Sequence, residues 1–87
     1  MKTYKLVVAS PDGNLYDGQA INLSLRGADG DLAIMAGHTP FITSVKPGKC
    51  TIETEDGEIR EGAIEGGLLA VSGSEVILLS SGFSWKE

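Results

Sequence analysis

The chain has 87 residues, a formal net charge of −5, one cysteine and one histidine. One cysteine cannot form an intrachain disulfide, and together with one histidine it cannot supply the N/S ligands of a structural zinc site. The seven basic residues are scattered, which argues against nucleic-acid binding. No apolar run approaches the ~20 residues of a membrane-spanning helix, and the N-terminus does not read as a signal peptide. The length predicts a single domain, residues 1–87, with a thin core.

Turn signals rich in glycine, proline, aspartate and asparagine recur every eight to ten residues and separate short strand-like runs. The first run is Tyr4–Val8. The second, Gln19–Arg26, alternates apolar and polar residues with the period of two that a half-buried strand shows. Further candidate strands are Phe41–Val45 and Cys50–Thr54. No long window has the ~3.6-residue period of an amphipathic helix.

The second half of the chain predicts two strand pairs. Asp56-Gly57 is expected to join Thr51–Glu55 to Glu58–Ile64 through a type I′ turn, which suits an Asp-Gly pair. Gly67–Val71 and Glu75–Ser80 are expected to form the last pair, and the apolar run within the second of these strands predicts a central position. The chain is therefore predicted to be all-β, with about eight to ten strands packed in two layers.

No catalytic constellation is visible. His38 is the only candidate general base near neutral pH, and no serine or cysteine lies in a recognised nucleophile motif. Cys50 is expected to be a small buried strand residue, and its free thiol fits a reducing compartment. The acidic residues around Asp56-Gly57 are expected to form a solvated hairpin tip, the alternative being a cation site. Phe83 and Trp85 either pack onto the sandwich as a terminal strand or anchor a partner.

The most informative stretch is Gly30–Phe41, a short apolar strand followed by a loop with the only histidine, a proline and a phenylalanine. Loops often carry function, and clustered exposed apolar groups usually mark a contact surface. His38 can be a turn residue, an interface contact or a catalytic group. Asp29 and Asp31 can be polar turn residues, binding residues or a carboxylate pair for acid–base chemistry.

Four segments match one known family in order and at near-family spacing. They are Val7–Pro11 with Leu15–Gly18, Gly30–Pro40, Ile42–Gly48, and Glu65–Val71 leading into Val76–Leu79. The most specific feature is the Gly-His-x-Pro loop followed by the Lys-Pro-Gly turn. On these motifs the chain resembles the epsilon subunit of F-type ATP synthases, in its N-terminal β-sandwich domain.

The resemblance implies a flattened β-sandwich of two roughly five-stranded, mostly antiparallel sheets. It implies a non-catalytic central-stalk rotor subunit without a cofactor or metal, which docks on the gamma subunit and the c-ring and couples ion-driven rotation to ATP synthesis or hydrolysis. The implied location is the cytoplasmic face of a bacterial inner membrane, peripheral and without insertion. The alternative is a free-standing β-sandwich module that binds a ligand or a peptide in a pocket.

The resemblance also implies which residues contact a partner. In the family, two loops face the c-ring, and the predicted ring-facing residues here are Asp29, Asp31, Met35, His38, Thr39 and Phe41. An acidic residue there can form a bidentate pair with an arginine of the ring loops. The sequence departs from the family at Asp31, where glutamate is common, and at Ala36, where proline is usual.

A further departure is that the chain stops before the C-terminal helical hairpin of the family, so no inhibitory or ATP-binding role of that hairpin is expected. The chain is either a naturally short member or one domain of a longer protein. The rotor hypothesis predicts that Asp31, His38 and Phe41 lie together on an exposed end of the sandwich. The ligand-binding alternative predicts that they line a cavity.

Overall fold

A computed structural model describes residues 2–86, and within this range it contains nine strands and no helix. No helix in these residues is therefore long and apolar enough to cross a membrane. In chain order the strands are β1 (Tyr4–Ser10), β2 (Gly13–Gly27), β3 (Gly30–Met35), β4 (Phe41–Val45), β5 (Gly48–Thr54), β6 (Ile59–Ile64), β7 (Gly67–Val71), β8 (Glu75–Ser80) and β9 (Phe83–Trp85).

The long strand β2 belongs to both layers of the sandwich. Its first half pairs with β1 as far as Ala20, and the register shifts between Ala20 and Asn22. Its second half pairs with β3 on one side and with β5 on the other, where Gly27 also pairs with Val45 of β4. Sheet I therefore has the order β2–β1–β8–β7–β4, and sheet II has the order β3–β2–β5–β6–β9. Only β1 and β8 are parallel among the described strands. The prediction of two roughly five-stranded, mostly antiparallel sheets is confirmed.

The core lies between the two sheets and follows the period-two pattern of the sequence. Leu6, Leu69 and Leu78 point inward from sheet I, and Leu23 and Ile52 point inward from sheet II, all with no exposed surface. Burying such side chains stabilises the fold by about 1.5–3 kcal/mol each.

One buried hydrogen bond joins the two layers. The Tyr4 hydroxyl on β1 donates to the Ile34 carbonyl on β3 at 2.7 Å. Burial raises the pKa of this hydroxyl, so the hydroxyl stays protonated and is a neutral donor at neutral pH. A neutral donor paired with a carbonyl leaves no unsatisfied polar group in the core at this point.

The turn chemistry was predicted only in part. Asp56-Gly57 does lie in the hairpin loop between β5 and β6, but the type I′ prediction is wrong. That turn needs positive φ at both central residues, whereas Gly57 alone has it, at +84°. The Thr54 carbonyl accepts a hydrogen bond from the Gly57 amide at 3.0 Å, and the Thr54 amide pairs with the Glu58 carbonyl at 2.9 Å. The hairpin thus closes through a longer loop in which only the glycine needs the left-handed region.

The last strands pack as one of the two alternatives predicted. β8 lies between β1 and β7, so its central position is confirmed. β9 pairs with β6, and the rings of Phe83 and Trp85 meet edge to face with centroids 4.9 Å apart. The Arg60 guanidinium lies 4.1 Å from the centre of the Trp85 ring and 5.9 Å from that of Tyr16. The two aromatic side chains of β9 therefore pack against the sandwich, where a cation–π contact holds Trp85.

Cys50 is fully buried on β5, as predicted, and burial raises the pKa of its thiol to about 12. Because the thiolate is the reactive form, the native domain is expected to react with an aromatic disulfide reagent at pH 8 at least about a hundredfold more slowly than the denatured chain. The absorbance change with and without denaturant measures this ratio. Comparable rates in the two states would show that Cys50 is exposed and the β5 register wrong.

Candidate functional site: two loops and an apolar sheet face

The six predicted contact residues fall into two groups at opposite ends of β3. Asp29 and Asp31 lie at its start, while Met35 ends it and leads into the loop that carries His38. At about 3.3 Å per residue, Asp31 and Met35 are separated by about 13 Å along the strand. The expectation that Asp31, His38 and Phe41 share one exposed end is therefore not met, and they do not line a common cavity either. The arrangement also removes the geometry for a catalytic pair of His38 and Asp31.

The first group forms a tight hairpin end, here called the charged corner and defined as Arg26–Asp31 together with Lys46. Gly27 pairs with Gly30, so Ala28 and Asp29 alone make the turn, and Gly30 adopts a φ of +134°. A Cβ on Gly27 would lie 2.6 Å from the end of the Leu32 side chain, so a larger residue there would require that leucine to shift. The corner presents both carboxylates to solvent on a short, well-supported turn.

The second group is the histidine loop, defined as Met35–Phe41. The His38 amide donates to the Met35 carbonyl at 3.2 Å, and Gly37 takes up a φ of +84° to make the bend. His38 Nδ1 lies 2.8 Å from the Thr39 carbonyl, which can only accept, so this contact requires a proton on Nδ1. The imidazole packs against Phe41 with ring centroids 5.0 Å apart.

This loop presents a mixed surface. Met35 is 57% exposed and Thr39 is exposed, while His38 and Phe41 are half-buried. An exposed methionine beside a supported aromatic ring and an imidazole is a combination typical of contact surfaces. His38 is therefore a turn residue, and its role as an interface contact stays a prediction.

A third surface was not predicted from the sequence. It is the outer side of sheet I, here called the apolar face. Ile42 on β4 pairs with Ala70, which pairs with Ile77, which pairs with Val7. A second row beside the first runs from Leu68 on β7 through Leu79 on β8 to Ala9 on β1. Because residues paired in register lie on the same side of a sheet, the two rows form one continuous patch across four strands. The apolar face comprises Val7, Ala9, Ile42, Leu68, Ala70, Ile77 and Leu79.

Three of the four leucine and isoleucine side chains of this face are substantially exposed: Ile42 by 69%, Leu68 by 43% and Leu79 by 49%. Polar groups border the patch, among them the Lys5–Glu75 pair at 4.0 Å. Contiguous apolar surface with a polar border marks an interaction site on a soluble domain. The sequence contains one indication of this face, the run of apolar residues in β8. Such a run fits an interior strand, but in a two-layer fold it also places apolar side chains on the outer side of the sheet.

The outer side of sheet II contrasts with the apolar face. It carries Lys49 and Lys86, which pair with Glu61 at 3.2 and 3.7 Å. The hydrogen bond from Lys49 is the main cause that lowers the pKa of the Glu61 carboxyl. An open groove also lies on this side, over β2 between β3 and β5, and it is lined by both polar and apolar groups such as Ser24, Leu32 and Thr51. Because this groove is open to solvent, it does not provide the enclosed pocket that the ligand-binding alternative predicts.

Among residues 2–86, no three histidine, cysteine, aspartate or glutamate side chains come together in a way that could hold a metal ion. Glu55, Asp56 and Glu58 are exposed at the tip of the β5–β6 hairpin. The features that remain are two exposed loops and one apolar face on a rigid two-layer scaffold. These features define the class of the protein as an all-β two-layer domain.

Residues 3–86 match the family described as ATP synthase, Delta/Epsilon chain, beta-sandwich domain, and the chain belongs to this family. The resemblance found from the sequence motifs is therefore confirmed. Among curated relatives, the chain is 38% identical over 76 residues to the ATP synthase epsilon chain of Sulfurihydrogenibium sp. (strain YO3AOP1), covering 87% of this chain and 57% of that protein. It is 36% identical over 87 residues to the epsilon chain of Caldicellulosiruptor saccharolyticus, covering 100% of this chain and 63% of that protein.

Solved structures show the same fold at low identity. A chain of the Euglena gracilis mitochondrial ATP synthase (OSCP/F1/c-ring) superposes with a TM-score of 0.89 at 20% identity, over 95% of this chain and 53% of the other. A chain of the Tetrahymena thermophila mitochondrial ATP synthase (central stalk/c-ring) gives a TM-score of 0.75 at 14% identity, over 92% of this chain and 64% of the other. The chain thus spans about three fifths of the length of its curated relatives.

Proposed function

We propose that this domain is a non-catalytic part of the central-stalk rotor of an F-type ATP synthase, where it binds the gamma subunit and the c-ring and couples ion-driven rotation to ATP synthesis or hydrolysis. The observation that carries the proposal is the apolar face, on a domain of the epsilon family with no metal cluster in residues 2–86 and no His38–Asp31 pair. The corresponding location is peripheral, at the cytoplasmic face of a bacterial inner membrane.

The apolar face fits a permanent partner such as the gamma subunit. A rotor subunit must stay attached while torque passes through it, and lasting interfaces are large and apolar at their centre. Ile42, Leu68 and Leu79 project from adjacent paired strands, so little conformational freedom is lost when they are covered. This rigidity favours a stable complex over a transient one.

The two loops fit a second, broader partner. β3 pairs only with β2 among the described strands and forms an edge of sheet II, with the charged corner at one end and the histidine loop at the other. A flat surface lying along this edge, such as the polar loops of a c-ring, can reach both groups at once. The separation of Asp31 from His38 is therefore compatible with one extended ring-facing surface.

Calorimetry with a purified bacterial gamma subunit tests the proposal. We expect tight one-to-one binding with a negative heat-capacity change, because apolar area is buried. Absence of binding to gamma subunits from several bacteria would leave the domain without its central partner and would contradict the proposal.

Changes in the two loops are expected to affect the ring and not gamma. His38→Ala is expected to weaken docking on a reconstituted c-ring about tenfold, and Asp31→Arg is expected to weaken it more because it places like charges together. Both side chains lie outside the core, so the thermal unfolding temperature should change by only a few degrees. Ring co-sedimentation measures the docking, and circular dichroism checks the fold. Loss of folded structure in either variant would show that these positions are not a contact surface.

A further inference from the structure

Asp31 already has a cationic partner within its own domain. Arg26 and Asp31 are partners in the β2–β3 ladder, and Arg26 Nε lies 3.7 Å from Asp31 Oδ1. The side chains are 61% and 86% exposed, so this is a solvent-facing ion pair at a distance too long for a hydrogen bond. Most of the Asp31 carboxylate therefore stays open to a second donor.

The pair is held in place by the backbone of the charged corner. The Lys46 amide donates to the Arg26 carbonyl at 2.9 Å, and the adjacent Gly27–Gly30 pair closes the turn. Arg26 is thus fixed in register opposite Asp31. Lys46 borders the same shallow surface, but within residues 2–86 it forms no ion pair at a salt-bridge distance. The corner consequently contains two cations of equal charge, and one of them is aligned with Asp31.

We propose that Arg26 determines how strongly the charged corner attracts a cationic partner loop. Arg26 occupies one side of the Asp31 carboxylate, so an incoming guanidinium must either share the carboxylate with Arg26 or displace Arg26 from it. The proposal rests on the proposed function, which places the loops of a c-ring against Asp31, and the family resemblance implies an arginine in those loops. Arg26 acts as a specificity-determining residue. It repels a strongly basic loop, while a loop with a single well-placed arginine can still pair with the open part of the Asp31 carboxylate.

The test compares Arg26→Gln with Lys46→Gln, which removes the same charge from the same corner without touching the ion pair. Binding of the complete subunit, or of its complex with gamma, to a bacterial c-ring in nanodiscs is measured at low and moderate salt. We expect Arg26→Gln to bind about threefold more tightly at low salt, with the gain reduced at higher salt, and Lys46→Gln to change binding less. Asp31→Asn should weaken binding more in the Arg26→Gln background than in the wild type.

The outcomes separate this proposal from the function on which it rests. If the wild type binds the ring and the two glutamine variants behave alike, only net charge matters and the role of Arg26 is overturned. Weaker binding of Arg26→Gln would overturn it as well, because Arg26 would then be a direct contact. If the wild type binds gamma but shows no binding to the ring, the ring-facing assignment fails and the Arg26 proposal fails with it, while the gamma interface stands.

Discussion

Leu68→Asp is expected to weaken binding of the gamma subunit by at least about a hundredfold while the domain stays folded. Leu68 begins one row of the apolar face, where it pairs with Leu79 inside the face and with Ser44 at its border, and it is 43% exposed in the free domain. A carboxylate at this position is solvated in the free protein but buried without a partner in the complex, which costs several kcal/mol. Calorimetric titration of the gamma subunit measures the loss.

Ile59→Asp is the matched control for this prediction. Ile59 is 58% exposed, so it is at least as accessible as Leu68, but it lies on β6 in sheet II. The same change in chemistry on the other sheet should leave gamma binding within about threefold of the wild type. Equal losses for the two variants would show that the apolar face is not the docking surface.

Gly67→Ala is expected to destabilise the domain by about 3 kcal/mol, a large effect for the addition of a single methyl group. Gly67 is the first residue of β7 and pairs with Val45 on one side and Ser80 on the other. A Cβ at this position would overlap the Leu79 carbonyl oxygen, which belongs to the backbone of the neighbouring strand. Relief requires the two strands to move apart and to stretch their hydrogen bonds, since the atom in the way is not a flexible side chain. Urea unfolding followed by circular dichroism measures the free energy of unfolding.

Gly73→Ala is the control for this second prediction. Gly73 lies in the loop between β7 and β8, where an added Cβ would meet no atom within 4 Å and the backbone does not need a left-handed φ. The change is expected to be neutral or to stabilise the fold by a few tenths of a kcal/mol, because it restricts the unfolded chain. A loss below about 1 kcal/mol for Gly67→Ala would contradict the close packing of β7 on β8. Because ~3 kcal/mol is a large fraction of the stability of a small domain, Gly67→Ala is also expected to lower the thermal unfolding temperature.

The period-two pattern predicted most of the strands because each sheet buries one side. The second half of β2 was predicted as the strand Gln19–Arg26, and Leu23 and Leu25 face the core as the alternation indicates, whereas Ile21 lies at the register shift after the buried Ala20 and is not a core residue. The first half, from Gly13 onwards, was not predicted as strand because Asp17 and Gly18 interrupt the apolar pattern. Its partner β1 supplies the hydrogen bonds there, and tertiary pairing thus overrides a weak local signal.

The candidate site was predicted less completely, for a different physical reason. Asp31 and His38 are seven positions apart in the sequence, and only the straight course of β3 shows that they lie at opposite ends of a strand. The apolar face could not be read from any one segment, because it is assembled from β1, β4, β7 and β8 through their register. Leu68 and Leu79 look like ordinary strand residues until the two are seen side by side on the solvent side of sheet I.

Docking of gamma on the apolar face is tested most directly by titrating the isotope-labelled domain with unlabelled gamma subunit, followed by NMR of backbone amides and methyl groups. We expect the largest changes at the apolar face, with Ile42, Leu68 and Leu79 among the most affected methyl groups. The amides of Asp31 and of the outer side of sheet II should change little, because they face away from gamma. Changes centred on Ile59 and Lys49, with the methyl groups of the apolar face unaffected, would contradict the proposed docking.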